Sequence, residues 1–573
     1  MNAYRFLLLL LIVAALICFC SCNNDDDPET SSGHDDDTTD DDTVDDDTLD
    51  DDTSDDDTGD DDTSDDIVSE AVFVENGEPL SVTYQGAPWT TQNGWLGQMG
   101  DYQFLHGGYR ALAGDFEVTA RLRIAQLSRS GAAFVIDGNN RIVFAARDNH
   151  LRLQGPLFPD DEVDLGPTLA QDSTPFEILV VRAGEQLNLY FDNQLIYSQA
   201  VLPDRPLTFG LLAGKSTTSV SDFYAAGRLL PLPEQPEAVD VFVGGEDGYD
   251  TFRIPALIAT PGGVLLAFAE GRKRSSSDTG NIDLVLKRSF DGGATWQPLQ
   301  VVADFGYATC GNPAPIIDRD SGDVVLPFTY NQGWTWEPLI NLGIGSREVY
   351  LTRSHDGGAS WDAPIKISDD VKLDGWRWYA TGPGHGIQLS SGRMVVPCDH
   401  CTSQLPGQSF SHAIVSDDGG YSWRLGGVVP GGRTNECIVA ERDDGTLLLN
   451  MRNLRGTDRR AVSLSYDEGE SWTAPVDDEE LIEPVCQASM LELDGNRLLF
   501  ANPASTHREV MAVRGSEDGG DTWPSFRWID LGPAAYSDLT RLPDGEIGLL
   551  YERGDDSLYE TITFVAFSEG FIF

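Results

Sequence analysis

Three arginines in separate short motifs are the first residues of this sequence that point to chemistry. Arg253 lies in Thr251–Pro255, Arg452 lies in Leu449–Asn453, and Arg508 precedes the last of five repeated octapeptides. A planar guanidinium matches a carboxylate with two parallel hydrogen bonds and stays protonated at any relevant pH. For each arginine alone, a surface ion pair is the commoner explanation. If the three converge, they would hold a fixed anion, and acidic neighbours must then offset their mutual repulsion.

Three other residues have the types needed for proton transfer and covalent catalysis. Asp278 lies in the Ser275–Gly280 stretch, which its serines and glycine make mobile. Glu436 lies between an asparagine and a cysteine, and Tyr536 lies in Ala535–Leu539. A phenol with a pKa near 10 is a poor nucleophile at neutral pH, so a catalytic tyrosine needs an adjacent base.

A repeated octapeptide indicates the elements that must position these residues. The pattern Ser, any, Asp, any, Gly, any, any, Trp occurs at Ser289–Trp296, Ser354–Trp361, Ser416–Trp423, Ser465–Trp472 and Ser516–Trp523. Successive copies start 65, 62, 49 and 51 residues apart, a spacing typical of blades of several strands. The Asp and Gly favour a hairpin turn over which the Trp can fold. Since the copies repeat, their role is structural, and the chemistry is expected among residues that do not repeat.

This octapeptide resembles the Asp-box of sialidases and related β-propellers. Residues 236–573 would hold about six blades of four strands each, one of them without a box. An ordered set of stretches resembles the exo-α-sialidases of the glycoside hydrolase family that includes most bacterial neuraminidases: Arg253-Ile254-Pro255, Glu270-Gly271-Arg272, Ser277–Gly280, Asn435-Glu436-Cys437, Leu449–Asn453, Arg508 and Ala535–Leu539. The resemblance covers about residues 240–573.

The resemblance implies catalytic roles for three residues. Tyr536 is expected to be the nucleophile and Glu436 the base that accepts its proton. Asp278 is expected to protonate the leaving oxygen and then to activate water, so that configuration is retained overall. A neutral phenol suits a sialic acid, because a carboxylate nucleophile would be repelled by the carboxylate on the anomeric carbon. No cofactor or metal is expected.

The resemblance also implies a substrate-binding set. Arg253, Arg452 and Arg508 are expected to bind the carboxylate of a sialic acid, and Glu552 is expected to pair with Arg253. Arg272 is expected near the ring hydroxyls of the substrate or near the loop that carries the acid. Sialylated glycans, glycoproteins or glycolipids are therefore the expected partners.

The N-terminus predicts export. Residues 1–22 indicate a lipoprotein signal peptide, with Arg5 ahead of an apolar run from Phe6 to Phe19 and with Cys22 as the lipidated residue. Cys18 and Cys20 are competing candidates, and an ordinary cleaved signal that releases a secreted protein is the alternative. A lipid anchor would place the protein on the bacterial cell envelope, with no other membrane contact expected.

An acidic low-complexity linker is predicted at residues 23–66. Asp25–Asp66 contains 24 acidic residues and no Lys or Arg, out of a formal net charge of −56 for the whole chain. Such a segment cannot bury enough apolar surface to fold, and its self-repulsion keeps it extended. The acidic balance argues against nucleic acid as a partner. It does not exclude an anionic sugar, because a basic pocket can override the global field.

Residues 67–230 indicate a second all-β domain. Apolar and polar residues alternate at period two along Phe116–Ile124, Phe176–Val181 and Leu187–Phe191. The pattern favours an antiparallel β-sandwich of the jelly-roll or concanavalin-like kind, followed by a proline-rich linker at Leu229–Pro236. Trp89, Trp95 and Tyr109 would stack on sugar rings if exposed, or would belong to the core. The fold class expected overall is all-β, with the sandwich preceding the six-bladed propeller.

Five cysteines follow the export signal, and two of them, Cys398 and Cys401, form a Cys-x-x-Cys stretch with His400. This is half of a zinc knuckle without a second half nearby, so a local disulfide or free thiols are expected rather than a metal.

Three alternatives to a hydrolytic sialidase remain open from the sequence. A trans-sialidase or an intramolecular enzyme that makes an anhydro product would differ by a few pocket residues. An enzyme for a related nonulosonic acid would carry the same arginines. A non-catalytic glycan-binding propeller would need the arginines but not a base beside a phenol, so Asp278, Glu436 and Tyr536 together favour the enzyme.

Overall fold

Antiparallel strands make up nearly all of the regular structure, which confirms the all-β fold class. In this computed structural model, two short helices, α1 (Glu337–Asn341) and α2 (Ser368–Val371), and a 3₁₀ turn at Glu569–Phe571 complete the described part. No helix among the described residues is long and apolar enough to cross a membrane. The described residues are 69–80, 83–85, 89–100, 103–106, 111–124, 132–136, 140–144, 150–154, 163–168, 174–200, 207, 209–213, 216–230, 236–403, 408–494, 496–505, 507–554 and 557–573. The predicted export signal and acidic linker lie outside them.

The first sixteen strands form two sheets. They are β1 (Ser69–Glu75), β2 (Glu78–Pro79), β3 (Thr83–Gln85), β4 (Thr90–Gln92), β5 (Trp95–Gly100), β6 (Gln103–His106), β7 (Ala111–Ile124), β8 (Ala132–Ile136), β9 (Asn140–Phe144), β10 (His150–Gln154), β11 (Val163–Thr168), β12 (Phe176–Ala183), β13 (Gln186–Phe191), β14 (Gln194–Ala200), β15 (Phe209–Ala213) and β16 (Ser216–Leu230). One sheet has the order β14-β13-β12-β7-β16-β1-β2, with β5 also paired to β16 and β4 paired to β5, and the other has the order β11-β10-β9-β8-β15-β6-β3.

The sandwich core lies between these two sheets. Phe116 and Phe223 of the first sheet contact Phe209 and Phe134 of the second at ring-centroid distances of 5.4 and 6.2 Å. Along β12 every second residue is buried, as the period-two pattern predicts. Trp89 is 4% exposed and belongs to this core, so it is not a sugar-stacking residue.

The remaining strands form the blades of a propeller. They are β17 (Ala238–Val243), β18 (Thr251–Ala259), β19 (Leu265–Arg272), β20 (Ile282–Ser289), β21 (Gln300–Ala303), β22 (Ala308–Gly311), β23 (Ile316–Ile317), β24 (Val324–Gln332), β25 (Glu348–Ser354), β26 (Ile365–Lys366), β27 (Tyr379–Thr381), β28 (Ile387–Gln388), β29 (Met394–Cys401), β30 (Ser409–Ser416), β31 (Arg424–Val428), β32 (Thr434–Glu441), β33 (Leu447–Asn453), β34 (Arg459–Ser465), β35 (Val476–Ile482), β36 (Ser489–Glu492), β37 (Leu498–Pro503), β38 (Glu509–Ser516), β39 (Ser525–Arg541), β40 (Ile547–Arg553) and β41 (Thr561–Phe567).

These strands form six blades, numbered here along the chain, of which blades 1 and 2 are joined by a single parallel pair between β20 and β22. Blade 1 is β18–β21, blade 2 is β22–β26, blade 3 is β27–β31 and blade 4 is β32–β35. The long strand β39 gives its first half to blade 5, with β36–β38, and its second half to blade 6, with β40 and β41. Blade 6 is completed by β17, which pairs with β41, so the first and last strands of the propeller close the ring.

Each of the five Asp-boxes joins the last two strands of a blade. In the first box, Thr295 donates its backbone N–H to Asp291 Oδ1 over 2.9 Å, and Trp296 Nε1 donates to the Gly293 carbonyl over 3.0 Å. The Ser–Asp and Asp–backbone bonds recur in every box. In blade 6 the outermost strand, β17, comes from the other end of the propeller, so no hairpin connects it to β41 and there is no turn to carry a box. This explains five boxes for six blades.

The side chain of Asp538 connects several blades. Its fully buried carboxylate accepts hydrogen bonds from the Leu257 backbone N–H of blade 1 at 2.8 Å and from Ser489 Oγ of blade 5 at 2.9 Å. Oδ1 lies 2.7 Å from Nδ1 of His385, in blade 3. Burial alone would lower the pKa of His385, but the charge of Asp538 outweighs it and raises that pKa. Since a buried charge is stable only when it is paired and hydrogen-bonded, this contact fixes the inner strands relative to one another.

Candidate active site

Strand direction brings the predicted site residues to one edge of the propeller. In each blade the start of the first strand lies beside the end of the second, as the pairing of Arg253 with Glu270 and of Thr251 with Arg272 shows in blade 1. The third strand ends at the opposite edge, where Ser289 pairs with Leu265. Residues at first-strand starts and second-strand ends therefore converge on one face, and the Asp-boxes lie on the other.

Three first strands are irregular at the positions where pocket residues lie. The register shifts between Arg253 and Ala256 in β18, between Thr434 and Cys437 in β32, and between Ala534 and Ser537 in β39. A β-bulge re-aims a side chain that regular alternation would send elsewhere. The shifts contain Glu436 and Tyr536 and begin at Arg253.

Glu552 holds the first of the arginines. Its carboxylate, at the end of β40 and 0% exposed, accepts hydrogen bonds from Arg253 Nε at 3.2 Å and Nη2 at 3.3 Å. The same carboxylate accepts the backbone N–H of Ile254 at 2.8 Å and of Tyr536 at 3.1 Å. One buried anion thus fixes a guanidinium and the two bulged strands beside it.

Tyr536 and Glu436 form a hydrogen-bonded pair. The phenol donates to Glu436, whose two carboxylate oxygens lie 2.7 and 2.9 Å from Oη. Arg452 Nη1 donates to Glu436 Oε2 at 2.8 Å and to the phenolic oxygen at 3.1 Å. Burial and the charge of Glu436 raise the pKa of Tyr536 well above its usual value, although Arg452 and Arg508 act in the opposite direction. The phenol is therefore neutral and needs its neighbouring carboxylate as proton acceptor.

Two more guanidiniums flank the ring of Tyr536. The Cζ atoms of Arg253 and Arg508 lie 5.0 and 5.6 Å from the ring centroid. Together with Arg452, these residues place three cations of three blades around one phenol. Such a cluster can bind a carboxylate directly beside a nucleophilic oxygen.

Asp278 and Arg272 lie on the blade 1 side of this cluster. Asp278 Oδ1 is 2.8 Å from Arg272 Nη1 and 3.2 Å from Arg253 Nη1, and the Asp278 side chain is 76% exposed. Desolvation in the pocket raises the pKa of Asp278, but the charges of Arg272 and Arg253 outweigh it and lower that pKa to about 2. The buried Arg272 is fixed by Glu270 at 2.7 Å and by the Ser276 carbonyl. In this state Asp278 is ionised and is bound to Arg272 and to Arg253, one of the three arginines of the cluster.

The arrangement suits an anionic substrate that is attacked by the phenolic oxygen of Tyr536. It offers a carboxylate-binding cluster, a phenol with an adjacent base, and a solvent-exposed acid on a neighbouring loop. Among the described residues no group of three His, Cys, Asp or Glu side chains is placed to hold a metal ion. A separate cleft of about 580 Å³ on the box side of the propeller, between Asp318 and Glu468, contains none of these residues.

Comparison with known proteins assigns this chain to a family. The family of BNR repeat-like domains matches residues 263–549. The chain is 33% identical to a sialidase of Bacteroides fragilis over 415 residues, which cover 65% of this chain and 74% of that protein. It is also 33% identical to an exo-alpha-sialidase of Aspergillus fumigatus, over 53% of this chain and 79% of that one. The chain belongs to the sialidase family. It is a glycoside hydrolase.

Solved structures agree with this assignment. The Hadza microbial sialidase Hz136 is similar to this sialidase with a TM-score of 0.54 and 25% identity, over 81% of this chain and 95% of that one. The NanB sialidase of Streptococcus pneumoniae, at 16% identity and a TM-score of 0.50, shares the fold. The predicted order of a β-sandwich and a sialidase propeller is confirmed.

The structure brings all of the sequence-predicted site residues of the sialidase propeller to one face. Arg253, Arg272 and Asp278 are linked to one another by ion pairs, and Glu552 pairs with Arg253. Of the two environments predicted for Arg272, the structure places it against the Asp278 loop. Glu436, Arg452 and Tyr536 are linked by hydrogen bonds, and Arg508 lies on the Tyr536 ring. Cys22, the predicted lipidation site, lies outside the described residues.

Two residues near this face were not found from the sequence. Tyr559, in the loop between β40 and β41, contacts both Arg253 and Arg508, and no motif marks it. Asp399, in β29, is fully buried and accepts a hydrogen bond from Asn435 at 2.9 Å. Burial, with Glu436 adding to it, raises the pKa of Asp399 well above its usual range. A single Asp in an otherwise ordinary strand gives no sequence signal for such an environment.

The cysteine prediction is also resolved. Cys398 and Cys401 are both buried, as are Cys310, Cys437 and Cys486, and all five are free thiols. Of the two outcomes expected for the Cys-x-x-Cys stretch, the structure has free thiols. His400 stacks on Trp376 at a ring-centroid distance of 3.4 Å, so this histidine is part of the packing of blade 3.

Proposed function

We propose that this sialidase is an exo-enzyme that releases terminal α-ketosidically linked sialic acids from glycoconjugates, with retention through a tyrosyl-enzyme intermediate. The observation that carries the proposal is the bond between Tyr536 and Glu436, at 2.7 Å, inside a cluster of three arginines. An anion-binding propeller without chemistry has no use for a base on a buried phenol. The sialylated substrates of the relatives, implied by their name, support the same assignment.

In the proposed first step, Tyr536 Oη attacks the anomeric carbon. Glu436 takes the phenolic proton, and Asp278 gives its proton to the glycosidic oxygen as the bond to the leaving group breaks. In the second step Asp278 takes a proton from water, whose oxygen attacks the same carbon. The bond to Tyr536 then breaks, and its oxygen recovers the proton from Glu436. Two inversions give overall retention.

Asp278 must be protonated to act as the acid, although its pKa is about 2 in the free site. The proposed trigger is the substrate carboxylate, which would replace Asp278 on Arg253 and offset one of the two charges, those of Arg272 and Arg253, that lower the pKa of Asp278. Asp278 would then be free to reach the leaving oxygen with a higher pKa. The large exposed fraction of this side chain, 76%, supports such a movement.

We also propose that the enzyme is exported and lipid-anchored to the bacterial cell envelope through Cys22. The support is the sequence alone: a basic residue, an apolar run that ends at Phe19, and a small residue before Cys22. The acidic linker at residues 23–66 would then separate the propeller from the lipid.

The reaction is tested by incubating the enzyme with 3′- and 6′-sialyllactose and following the products by proton NMR. We expect free sialic acid to appear first as the α-anomer, because a double displacement retains configuration. The β-anomer as first product would contradict the tyrosyl intermediate. An anhydro sugar or a transfer product would identify the alternative reactions, and absence of any release would contradict the function.

Tyr536→Phe should reduce kcat by about 10³-fold or more, because it removes the nucleophilic oxygen while retaining the ring between the guanidiniums. Steady-state kinetics with an aryl sialoside measures this loss, and calorimetry should show that sialic acid still binds. Tyr249→Phe is the matched control, since it removes another buried phenol, bonded to Asp283 at 2.7 Å outside the pocket. Full activity of Tyr536→Phe would exclude the nucleophile assignment.

Asp278→Ala should slow the release of lactose by about 10²–10⁴-fold, the usual contribution of general acid catalysis. The same variant should lose far less activity on an aryl sialoside, whose leaving group needs little protonation. The measurement is kcat/KM on both substrates, with Asp304→Ala, an exposed acid elsewhere in blade 1, as control. Equal losses on both substrates would remove Asp278 from the acid role.

Cys22→Ser should release the protein from the membrane fraction, because the acyl chains need this thiol. Fractionation of bacterial cells and mass spectrometry of the mature N-terminus provide the measurement. Cys20→Ser is the control and should remain membrane-bound. If Cys22→Ser also remains membrane-bound, Cys22 is not the anchor.

A further inference from the structure

The three pocket arginines are held in different ways. Arg253 is bound by the Glu552 carboxylate, and Arg452 by the Glu436 carboxylate. For Arg508, the described residues include no carboxylate within ion-pair distance. Its Nη1 instead donates a hydrogen bond to the phenolic oxygen of Tyr559 at 2.9 Å.

Tyr559 also contacts a second arginine. The Cζ atom of Arg253 lies 4.0 Å from the centroid of the Tyr559 ring, a close cation–π distance. Arg253 and Arg508 are also the two guanidiniums that flank the ring of Tyr536. Two like charges are therefore held by two phenols, one of which is the proposed nucleophile.

The phenol of Tyr559 differs from a carboxylate because it carries no negative charge to Arg508. A carboxylate on Arg508 would offset its charge, and an incoming substrate carboxylate would then have to compete with it. A phenolic oxygen fixes the guanidinium and leaves the positive charge available. Arg253 is already paired with Glu552 and Asp278, and the ring of Tyr559 adds a contact through its quadrupole without adding another negative charge.

We propose that Tyr559 is a positioning residue that fixes Arg508 and Arg253 for binding the substrate carboxylate. This rests on the proposed function, and it adds a residue that touches no reacting atom. Tyr559 acts through the two arginines, so its contribution appears mainly in substrate affinity and only weakly in the chemical step. The contribution also depends on the negative charge of the substrate.

A purely structural role predicts a different pattern. Tyr559 is half-buried and packs against a small cluster of Ile254, Cys486, Ala535 and Tyr536. If packing were its only role, Phe in place of Tyr would be neutral, and Leu would lower stability and affect all substrates equally. The two roles can therefore be separated by removing the hydroxyl alone, by removing the ring as well, and by comparing a charged with an uncharged substrate.

The test compares Tyr559→Phe, which removes the bond to Arg508, with Tyr559→Leu, which also removes the ring below Arg253. An aryl α-sialoside and its methyl ester serve as charged and uncharged substrates. Thermal unfolding of each variant monitors the fold. Tyr421→Phe and Tyr421→Leu are the matched controls, because Tyr421 contacts Arg353 at 4.1 Å in an Asp-box outside the pocket.

We expect Tyr559→Phe to raise KM for the charged substrate about tenfold, the scale of one hydrogen bond to a charged group. Tyr559→Leu should raise it by about 30- to 100-fold, with kcat within about threefold in both variants. The preference of the enzyme for the carboxylate over the methyl ester should fall by the same factors. The Tyr421 variants should change none of these quantities.

Unchanged KM in both Tyr559 variants would overturn the proposal, as would equal losses on the charged and esterified substrates. If Tyr559→Leu does not fold, the KM and ester preference of Tyr559→Phe decide the question alone. A wild-type enzyme that releases no sialic acid would instead contradict the proposed function. The two failures are therefore distinguishable.

Discussion

The pocket depends on one buried carboxylate. Glu552 binds Arg253 through two hydrogen bonds and also accepts the backbone N–H of Ile254 and of Tyr536. These partners lie in blades 1 and 6, which meet where the ring closes. Removing one partner of a buried ion pair is strongly destabilising because the remaining charge is uncompensated. The same contact thus orients a substrate-binding arginine, places the backbone of the tyrosine, and joins the two blades.

Three β-branched residues near the pocket have strained backbone conformations. Ile254, beside Arg253, has φ of 60°, and Val510, two residues after Arg508, has φ of 62°. Val485, next to the buried Cys486 behind Tyr536, has φ of 52°. β-Branched residues rarely adopt this region, and such outliers persist only where the surrounding structure imposes them. At Ile254 the Glu552 carboxylate, which accepts the backbone N–H at 2.8 Å, is part of that constraint.

Much of the architecture is encoded in local patterns. The boxes predict the blades because Asp, Gly and Trp at fixed spacing form one compact turn, and period-two strands such as Phe176–Ala183 predict the sandwich. The pocket residues follow from their motifs. The bulges that aim Glu436 and Tyr536, and the contact of Tyr559 with two arginines, involve strands and loops far apart in the sequence. The ion pairs that keep Asp278 ionised depend on the same long-range packing, so no local sequence pattern predicts them.

The pairing of β17 with β41 has a consequence for biosynthesis. Asp240 and its partner Thr563 stand 323 positions apart, so β17 leaves the ribosome long before the strand that covers its edge. Arg253 and Glu552 are separated by 299 positions, so their ion pair also cannot form before the end of the chain has been made. A chain that lacks its last blade therefore cannot assemble a working pocket, and it leaves the edge of β17 open to pairing with other strands.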